Sequence, residues 1–265
     1  METSSLWVTL GLLLALGFRH GLDPDHIAVV DSLTRMRYRA NATWSARFTG
    51  FQFACGHSLT ILLATLVFYW QGASLPEWLD EVGLWVSSVF LLSLAAVNFH
   101  HCRSGHRHRH VGGAVQAALL RAMGPLAHPA GVGFAFAISL DSLAQAGIMA
   151  AKGHELGGAW MIVLLAVCFG LGMIIADTGN GLLMQWLVRR SAGLAAQADR
   201  LMSGVIATLA LAVVIVGHGS RHYLQLEGVL EAWGGWIGLG VTATAVATYL
   251  LSRWRYQRRS VFPSA

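Results

Sequence analysis

Seven long apolar segments dominate this chain and limit the folds that it can adopt. They lie near residues 6–30, 50–70, 82–100, 131–151, 157–180, 203–219 and 233–252. A helix of about 20 apolar residues crosses the ~30 Å hydrocarbon core of a bilayer, where the backbone must satisfy its own hydrogen bonds. Only 12% of the 265 residues are charged, about half the fraction usual in soluble domains. We therefore predict an all-α membrane helix bundle with about seven transmembrane helices, forming a single domain over residues 1–265.

Basic residues fall almost entirely on one side of this predicted bundle. If the seven segments alternate in direction, fifteen arginines lie on one side, and only Lys152 and Arg221 lie on the other. Because basic loops are retained in the cytoplasm, we expect a multi-pass protein of the inner (cytoplasmic) membrane, with the N-terminus outside and the C-terminus in the cytosol. The net charge of +5 then reflects topology and contact with the lipid bilayer, not nucleic-acid binding. The first five residues lack the basic start of a cleavable signal.

The first apolar segment is interrupted by Arg19–His26, which reads Arg-His-Gly-Leu-Asp-Pro-Asp-His. Ionisable side chains are costly in hydrocarbon, so such a group indicates a functional site. Imidazole and carboxylate together suit divalent transition metals. Pro24 cannot donate a helical hydrogen bond, so we predict that the helix breaks there, as helices do around midplane sites in transporters. The candidate metal ligands in this segment are His20, Asp23, Asp25 and His26.

Four different segments are expected to place a ligand-type side chain at a similar depth. These side chains are His26, His57, Asp141 and Asp177, each about 13–18 Å from the basic boundary of its segment at ~1.5 Å per helical residue. We predict that His57 is a further metal ligand. The two aspartates, each followed by a hydroxyl residue (Ser142 and Thr178), are candidates to bind the metal, to orient a ligating imidazole or to carry protons. A purely structural hydrogen-bond network is the alternative.

These motifs together resemble the nickel/cobalt transporter (NiCoT) family of secondary permeases. The family's R-H-A-x-D-A-D-H-I element is matched by Arg19–Ile27, its G-H-S element by Gly56–Ser58, and its G-M-x-x-x-D-T-x-D-G element by Gly172–Gly181. The resemblance implies high-affinity uptake of Ni²⁺ or Co²⁺, with His20, Asp25, His26 and His57 in the selectivity site. The supporting residues that we predict are Asp141, Ser142, Asp177, Thr178 and Asn180.

The chain departs from the family pattern at two carboxylates. Gln145 stands where the family's L-G-x-D-T-A-T-E element ends in glutamate, and Asn180 replaces the second aspartate of D-T-x-D-G. The family's leading span is also missing, which leaves seven spans instead of eight. The chain thus resembles a shorter, urease-accessory-type branch of nickel permeases, and the reduced negative charge bears on which metal it selects.

Three functions are compatible with these features. The first is a secondary transporter that imports Ni²⁺, or Co²⁺, as its substrate, with no resident cofactor and no ATPase of its own because a phosphate-binding loop motif is absent. The second is export of nickel or cobalt, which the His/Arg-rich cytosolic loop at 101–128 favours slightly. The third, a membrane metalloenzyme, lacks a further catalytic motif, so we predict that the chain is not an enzyme. A cytosolic metal chaperone is a candidate partner.

Overall fold

The computed structural model describes residues 3–39, 42–72, 77–103, 128–191, 196–220 and 222, and isolated positions between 233 and 247. The helices in the continuous ranges are α1 (Thr3–His20), α2 (Pro24–Arg39), α3 (Thr43–Ala46), α4 (Thr49–Gln71), α5 (Glu77–Arg103), α6 (Pro129–Phe136), α7 (Leu140–Leu156), α8 (Ala159–Ser191) and α9 (Ala196–Ser220). The described part of the chain is all-helical, and the predicted polytopic membrane bundle is confirmed.

Four of these helices contain stretches long and apolar enough to cross a membrane. The stretches are Thr49–Gln71, Glu81–His100, Ala159–Leu187 and Ser203–Ser220, and Leu6–His20 in α1 is a shorter apolar helix. They correspond to the predicted segments near 50–70, 82–100, 157–180 and 203–219. The predicted seventh segment, 233–252, and the His/Arg-rich loop, 101–128, lie mostly outside the described residues.

The first apolar segment is broken where Pro24 predicts a break. Helix α1 ends at His20, three residues form a turn, and α2 begins at Pro24. Inside the turn the Asp23 N–H donates to the His20 carbonyl (3.0 Å), and the Ile27 N–H donates to the Asp23 carbonyl (3.1 Å). The turn therefore satisfies its own backbone while it changes the helix axis. Helix α2 continues to Arg39, so residues 31–39, which the sequence assigns to a connection, are helical.

A second break divides the predicted segment 131–151, which the sequence analysis treats as continuous. Helix α6 ends at Phe136 and α7 begins at Leu140, with Ser139 in an extended conformation (φ −99°, ψ 154°). The expectation of an unbroken span is wrong here. No local signal predicts the break, because residues 137–139 contain no proline. At the other end of α6, the His128 side chain caps the helix by accepting from the Ala130 N–H. Burial and the nearby Arg37 lower the pKa of His128, which favours the neutral imidazole that this cap requires.

The described helices form two structural repeats. The two helix breaks lie 116 residues apart. His20 and Pro24 flank the first break, and the residues 116 positions later, Phe136 and Leu140, flank the second. The same shift carries α4 onto α8 and α5 onto α9. It also maps one interhelical contact onto another: a Cβ on Gly17 would lie 1.9 Å from the Phe169 carbonyl, and a Cβ on Gly133 would lie 2.0 Å from the Phe53 carbonyl. The repeats therefore share both their helix order and their packing.

The second repeat runs in the opposite direction to the first. Helix α4 is antiparallel to α8, because Gly50 lies against Asp177 while Ser58 lies against Gly170. The first half of each broken helix packs alongside the long helix of the other repeat, α1 on α8 and α6 on α4. Repeats with inverted topology are a recurring architecture of secondary transporters, whose substrate sites lie at the repeat interface.

Glycines set the spacing of these helix pairs. Cβ atoms on Gly56 and Gly172 would lie 1.9 Å from the Ala130 carbonyl and 2.0 Å from the Leu14 carbonyl, respectively. Only a residue without a side chain fits such an approach, and membrane helices use small residues in this way. Gly56 therefore allows α4 to approach α6 closely.

The Gly17→Val variant is expected to lose the α1–α8 packing, because the added methyl groups meet backbone that cannot move aside. Overpacking typically costs about 1–3 kcal/mol, so the thermal unfolding midpoint of the detergent-purified protein should fall. The matched control is Gly11→Val on the same helix, where a Cβ has nothing within 4 Å, and it should leave the midpoint unchanged. Equal midpoints for the two variants would contradict the close approach.

Candidate metal site

Three buried histidines meet where the two repeats join. His20 is the last residue of α1, His26 lies in the first turn of α2, and His57 lies in the middle of α4. Their ring centroids are 4.6 Å apart for His20 and His26, 4.7 Å for His26 and His57, and 5.5 Å for His20 and His57. Each offers one ligand nitrogen, and these three nitrogens lie within 4.8 Å of one another. We call these residues the histidine cluster.

Asp177 of α8 holds His26 in a defined orientation. The Nδ1 atom of His26 lies 3.2 Å from Oδ2 and 3.4 Å from Oδ1 of Asp177, and both side chains are fully buried. An imidazole that donates its Nδ1–H to a carboxylate presents a bare lone pair at Nε2. In the described structure His26 Nε2 is buried and has no hydrogen-bond partner. This is the carboxylate–histidine arrangement that prepares an imidazole to bind a metal.

Ser142, in the first turn of α7, connects the other two histidines. Its Oγ lies 3.0 Å from His57 Nε2 and 3.5 Å from His20 Nε2, and it accepts from the Ser139 hydroxyl at 2.9 Å. When His57 donates through Nε2, its Nδ1 carries the free lone pair, and that buried atom has no partner among the described residues. His20 in turn has Asp23 Oδ2 3.1 Å from its Nδ1.

The geometry and the donor chemistry fit a divalent transition metal. With bonds of about 2.1 Å to each nitrogen, a metal holds two ligand atoms at most about 4.2 Å apart and three of them closer than that, so the three nitrogens, which lie within 4.8 Å of one another, would move closer together to bind one ion. Neutral imidazoles suit nickel, copper and zinc. The carboxylates of the buried Asp177 and the partly buried Asp23 supply negative charge that offsets the cation. The cluster is therefore able to bind metal.

Both broken helices direct their second halves at the cluster. His26 and Ser142 each lie in the first turn of such a half-helix, α2 and α7. A helix N-terminus carries partial positive charge, which by itself would repel a cation. Asp25 offsets this charge in α2, where its Oδ1 accepts from the His26 backbone N–H at 2.9 Å. Asp141 occupies the equivalent position in α7, and its side chain lies outside the described part of the structure.

The remaining predicted residues lie around the cluster at different distances from its centre. Asp23 contacts His20, whereas the half-buried Asp25 bonds to the backbone and is not among the three grouped ligands. Thr178 and Asn180 follow Asp177 on α8, and neither side chain has a hydrogen-bond partner in the described structure. The structure thus brings His20, His26, His57, Ser142 and Asp177 together and leaves Thr178 and Asn180 to one side.

Aromatic rings enclose the cluster, and the sequence analysis missed them. Phe53 and Phe136 lie 5.3 and 6.0 Å from the His26 ring, and Phe169 lies 5.7 Å from the His20 ring. All three are fully buried. Phenylalanine side chains exclude water, and exclusion of water strengthens the interaction between a cation and its ligands. The apolar sequence around them gives no signal that distinguishes these rings from lipid-facing ones.

Fold and cluster together define a polytopic membrane protein with a buried histidine cluster, suited to hold a metal ion, between inverted repeats. The family model described as NicO, high-affinity nickel-transport protein, matches residues 6–123, which include all three histidines of the cluster. This match agrees with the resemblance to nickel transporters that the motifs indicate.

Several curated proteins are similar to this chain. The hydrogenase nickel incorporation protein HupN of Bradyrhizobium diazoefficiens is 29% identical over 63% of this chain and 51% of its own length. A high-affinity nickel transport protein of Cupriavidus necator is 28% identical over 65% of this chain and 58% of its own length. The nickel transporter NicT of Mycobacterium tuberculosis is 27% identical over 64% and 55%. The chain thus spans little more than half the length of these relatives. No solved structure matches it.

Replacing Asp177 by asparagine is expected to weaken metal binding, because the amide cannot supply the charge that orients and polarises His26. Loss of such an orienting carboxylate typically costs about 10–100-fold in metal affinity, which calorimetric titration of the purified protein with Ni²⁺ measures. The neighbouring Thr178→Val variant removes a hydroxyl that has no partner in the described part of the chain and should bind like the wild type. Equal affinities for the wild type and Asp177→Asn would contradict the orienting role.

Proposed function

We propose that this protein is a secondary transporter that carries Ni²⁺ across the cytoplasmic membrane into the cell. The observation that carries the proposal is the histidine cluster: three buried imidazoles whose ligand nitrogens lie within 4.8 Å of one another. A fully buried polar cluster at a repeat interface is costly in a bilayer and indicates a substrate site. The family resemblance supports nickel as the substrate, and Co²⁺ is the second candidate because imidazole suits both ions.

The cluster supports transport by replacing the hydration shell of the ion. His20, His26 and His57 offer nitrogen ligands, and Asp177 and Asp23 place negative charge next to two of those rings. The cation therefore meets ligands that are already oriented, while Phe53, Phe136 and Phe169 exclude bulk water. Gln145 and Asn180 reduce the number of carboxylates near the route, which favours a softer ion such as nickel over hard cations that require many oxygen ligands.

The inverted repeats provide a structural basis for alternating access. In transporters of this architecture, one repeat rocks against the other around a site near the bilayer midplane. Here the ligands come from the first repeat, whereas Ser142 and Asp177 come from the second. Relative motion of the repeats would therefore separate His26 from Asp177 and His57 from Ser142. Such separation weakens the hold of the cluster on the ion and permits release.

The membrane potential is sufficient to drive inward movement. With the N-terminus outside and the arginine-rich connections in the cytosol, as the charge distribution favours, a divalent cation gains about 4.6 kcal/mol per 100 mV on entry. Nickel uptake then needs no nucleotide hydrolysis.

Cells that lack their own nickel uptake and express the protein should accumulate radioactive nickel, and the His26→Ala variant should lower the initial rate by at least about tenfold. The His26→Gln variant, which retains a polar group beside Asp177, controls for misfolding and should also be slow. The matched control is His154→Ala, because His154 is an exposed histidine that stacks on Tyr69, remote from the cluster in sequence.

Two outcomes would contradict this proposal. Wild-type uptake by a correctly folded His26→Ala variant would remove the cluster from the transport route. Lower cellular nickel in expressing cells than in empty cells would show export instead of import.

A further inference from the structure

Buried polar side chains are concentrated between the histidine cluster and one end of the bundle. We call it the basic end, because Arg37, Arg47, Arg103 and Arg189 lie there at the ends of α2, α4, α5 and α8. The buried polar residues on this side of the cluster in α2, α5 and α8 include Asp31, Ser32, Thr34, Arg35, Asn98 and Asn180. Ionisable and polar groups at such depth are expensive in a bilayer and mark pathways by default.

The second repeat shows that the fold does not require this polarity. The positions 116 residues after Asp31, Ser32, Thr34, Arg35 and Asn98 are Gly147, Ile148, Ala150, Ala151 and Val214. The corresponding half of the bundle is instead packed with apolar side chains such as Leu143, Met149 and Phe169. The same helix arrangement thus forms in the second repeat without a counterpart to the Asp31–Arg35 pair or to Asn98, although Thr60 and Thr65 are buried on that side of the cluster. These charged and amide groups are therefore not a requirement of the helix packing.

The polar side chains follow the contact between α2 and α8. His26 pairs with Asp177, and one helical turn further a Cβ on Gly181 would lie 3.5 Å from Val30, so the two helices run parallel and in register. Thr34 follows Val30 by one turn on the same face of α2, and Asn180 adjoins Gly181 on α8. Thr34 is 0% exposed and Asn180 6% exposed, yet the Thr34 hydroxyl and both amide atoms of Asn180 have no hydrogen-bond partner among the residues that the structure describes.

A buried ion pair lies beside this row of polar groups. Arg35 Nε donates to both carboxylate oxygens of Asp31, at 2.9 and 3.0 Å, and the two side chains are 4% and 1% exposed. Arg35 is one of the fifteen arginines that the charge pattern places on the cytosolic side, and it lies within α2, buried, instead of in a solvated connection. A cation moving along α2 would be attracted by Asp31 and repelled by Arg35, so it can pass only when the pair separates.

We propose that the cation leaves the histidine cluster between α2 and α8, past Asn180 and Thr34, and that the Asp31–Arg35 ion pair closes this route. The amide oxygen of Asn180 and the Thr34 hydroxyl are neutral ligands. They would bind a divalent cation weakly, so the cation would dissociate from them quickly. Asp31 becomes a transient carboxylate ligand when Arg35 moves away. The inference rests on the proposed function, because it assigns the exit from the same site.

Cysteine labelling from one face of the membrane tests the route. In a background with Cys55, Cys102 and Cys168 replaced by alanine, Thr34→Cys is treated in oriented vesicles with a charged, membrane-impermeant thiol reagent. The matched control is Leu33→Cys, the preceding residue on the same helix, which is also buried and packs in the apolar core. The exposed Arg103→Cys variant identifies the vesicle orientation that presents the basic end. Thr34→Cys should react from that face, and Leu33→Cys should not.

The ion pair is tested in the same assay. The double substitution Asp31→Asn with Arg35→Gln removes both charges without leaving one of them unpaired in the interior. It should increase the labelling rate of Thr34→Cys by about fivefold or more. A fivefold change is about the smallest effect that is usual between two coupled sites. An unchanged rate in a folded double variant would overturn the closing role of the pair.

Nickel uptake measured in the same vesicles separates this inference from the proposed function. If the unsubstituted protein takes up nickel but Thr34→Cys reacts no faster than Leu33→Cys from the basic end, the route is wrong and the transport function stands. If the unsubstituted protein neither binds nor takes up nickel, the proposed function fails whatever the labelling shows.

Discussion

The contact between His26 and Asp177 is the interaction on which the site depends. It joins the first turn of α2 in one repeat to the centre of α8 in the other, and both side chains are fully buried. In hydrocarbon each group would be costly alone, whereas together they satisfy one another and leave His26 Nε2 available to a ligand. The same contact fixes how the two repeats meet. Its position also explains why α1 must end at His20: a continuous helix would carry His26 past the level of Asp177.

Glycine packing brings the remaining elements to that contact. Helix α1 packs closely against α8 at Gly17 and Gly172. In the equivalent way, α4 packs closely against α6 at Gly56 and Gly133. His20 and His57 each lie within three residues of one of these close approaches. The spacing of the imidazoles is therefore a consequence of backbone approach, and the metal-binding geometry arises from the pairing of inverted repeats. The repeats differ mainly in polarity, since the first supplies the histidines and the second supplies Ser142 and Asp177.

Much of this arrangement could be predicted from the sequence, and the residues show why the rest could not. Pro24 predicts the first break because its effect on a helix is local. The regular rise of a helix predicts that His26, His57 and Asp177 lie at a similar depth. The break at residues 137–139 carries no proline and depends on packing against α4. Arg35 looks like a loop charge until its pairing with Asp31 is seen. The inverted repeat is hidden because His20 and His57 correspond to Phe136 and Met173, so the chemistry differs where the structure repeats.

X-ray absorption at the nickel edge of the purified, nickel-loaded protein counts the imidazoles bound to the ion. We expect scattering from about three imidazole rings at nickel–nitrogen distances near 2.1 Å, with that number reduced in the His57→Ala variant. A nickel environment made only of oxygen ligands, or an imidazole count unaffected by His57→Ala, would contradict the histidine cluster as the binding site.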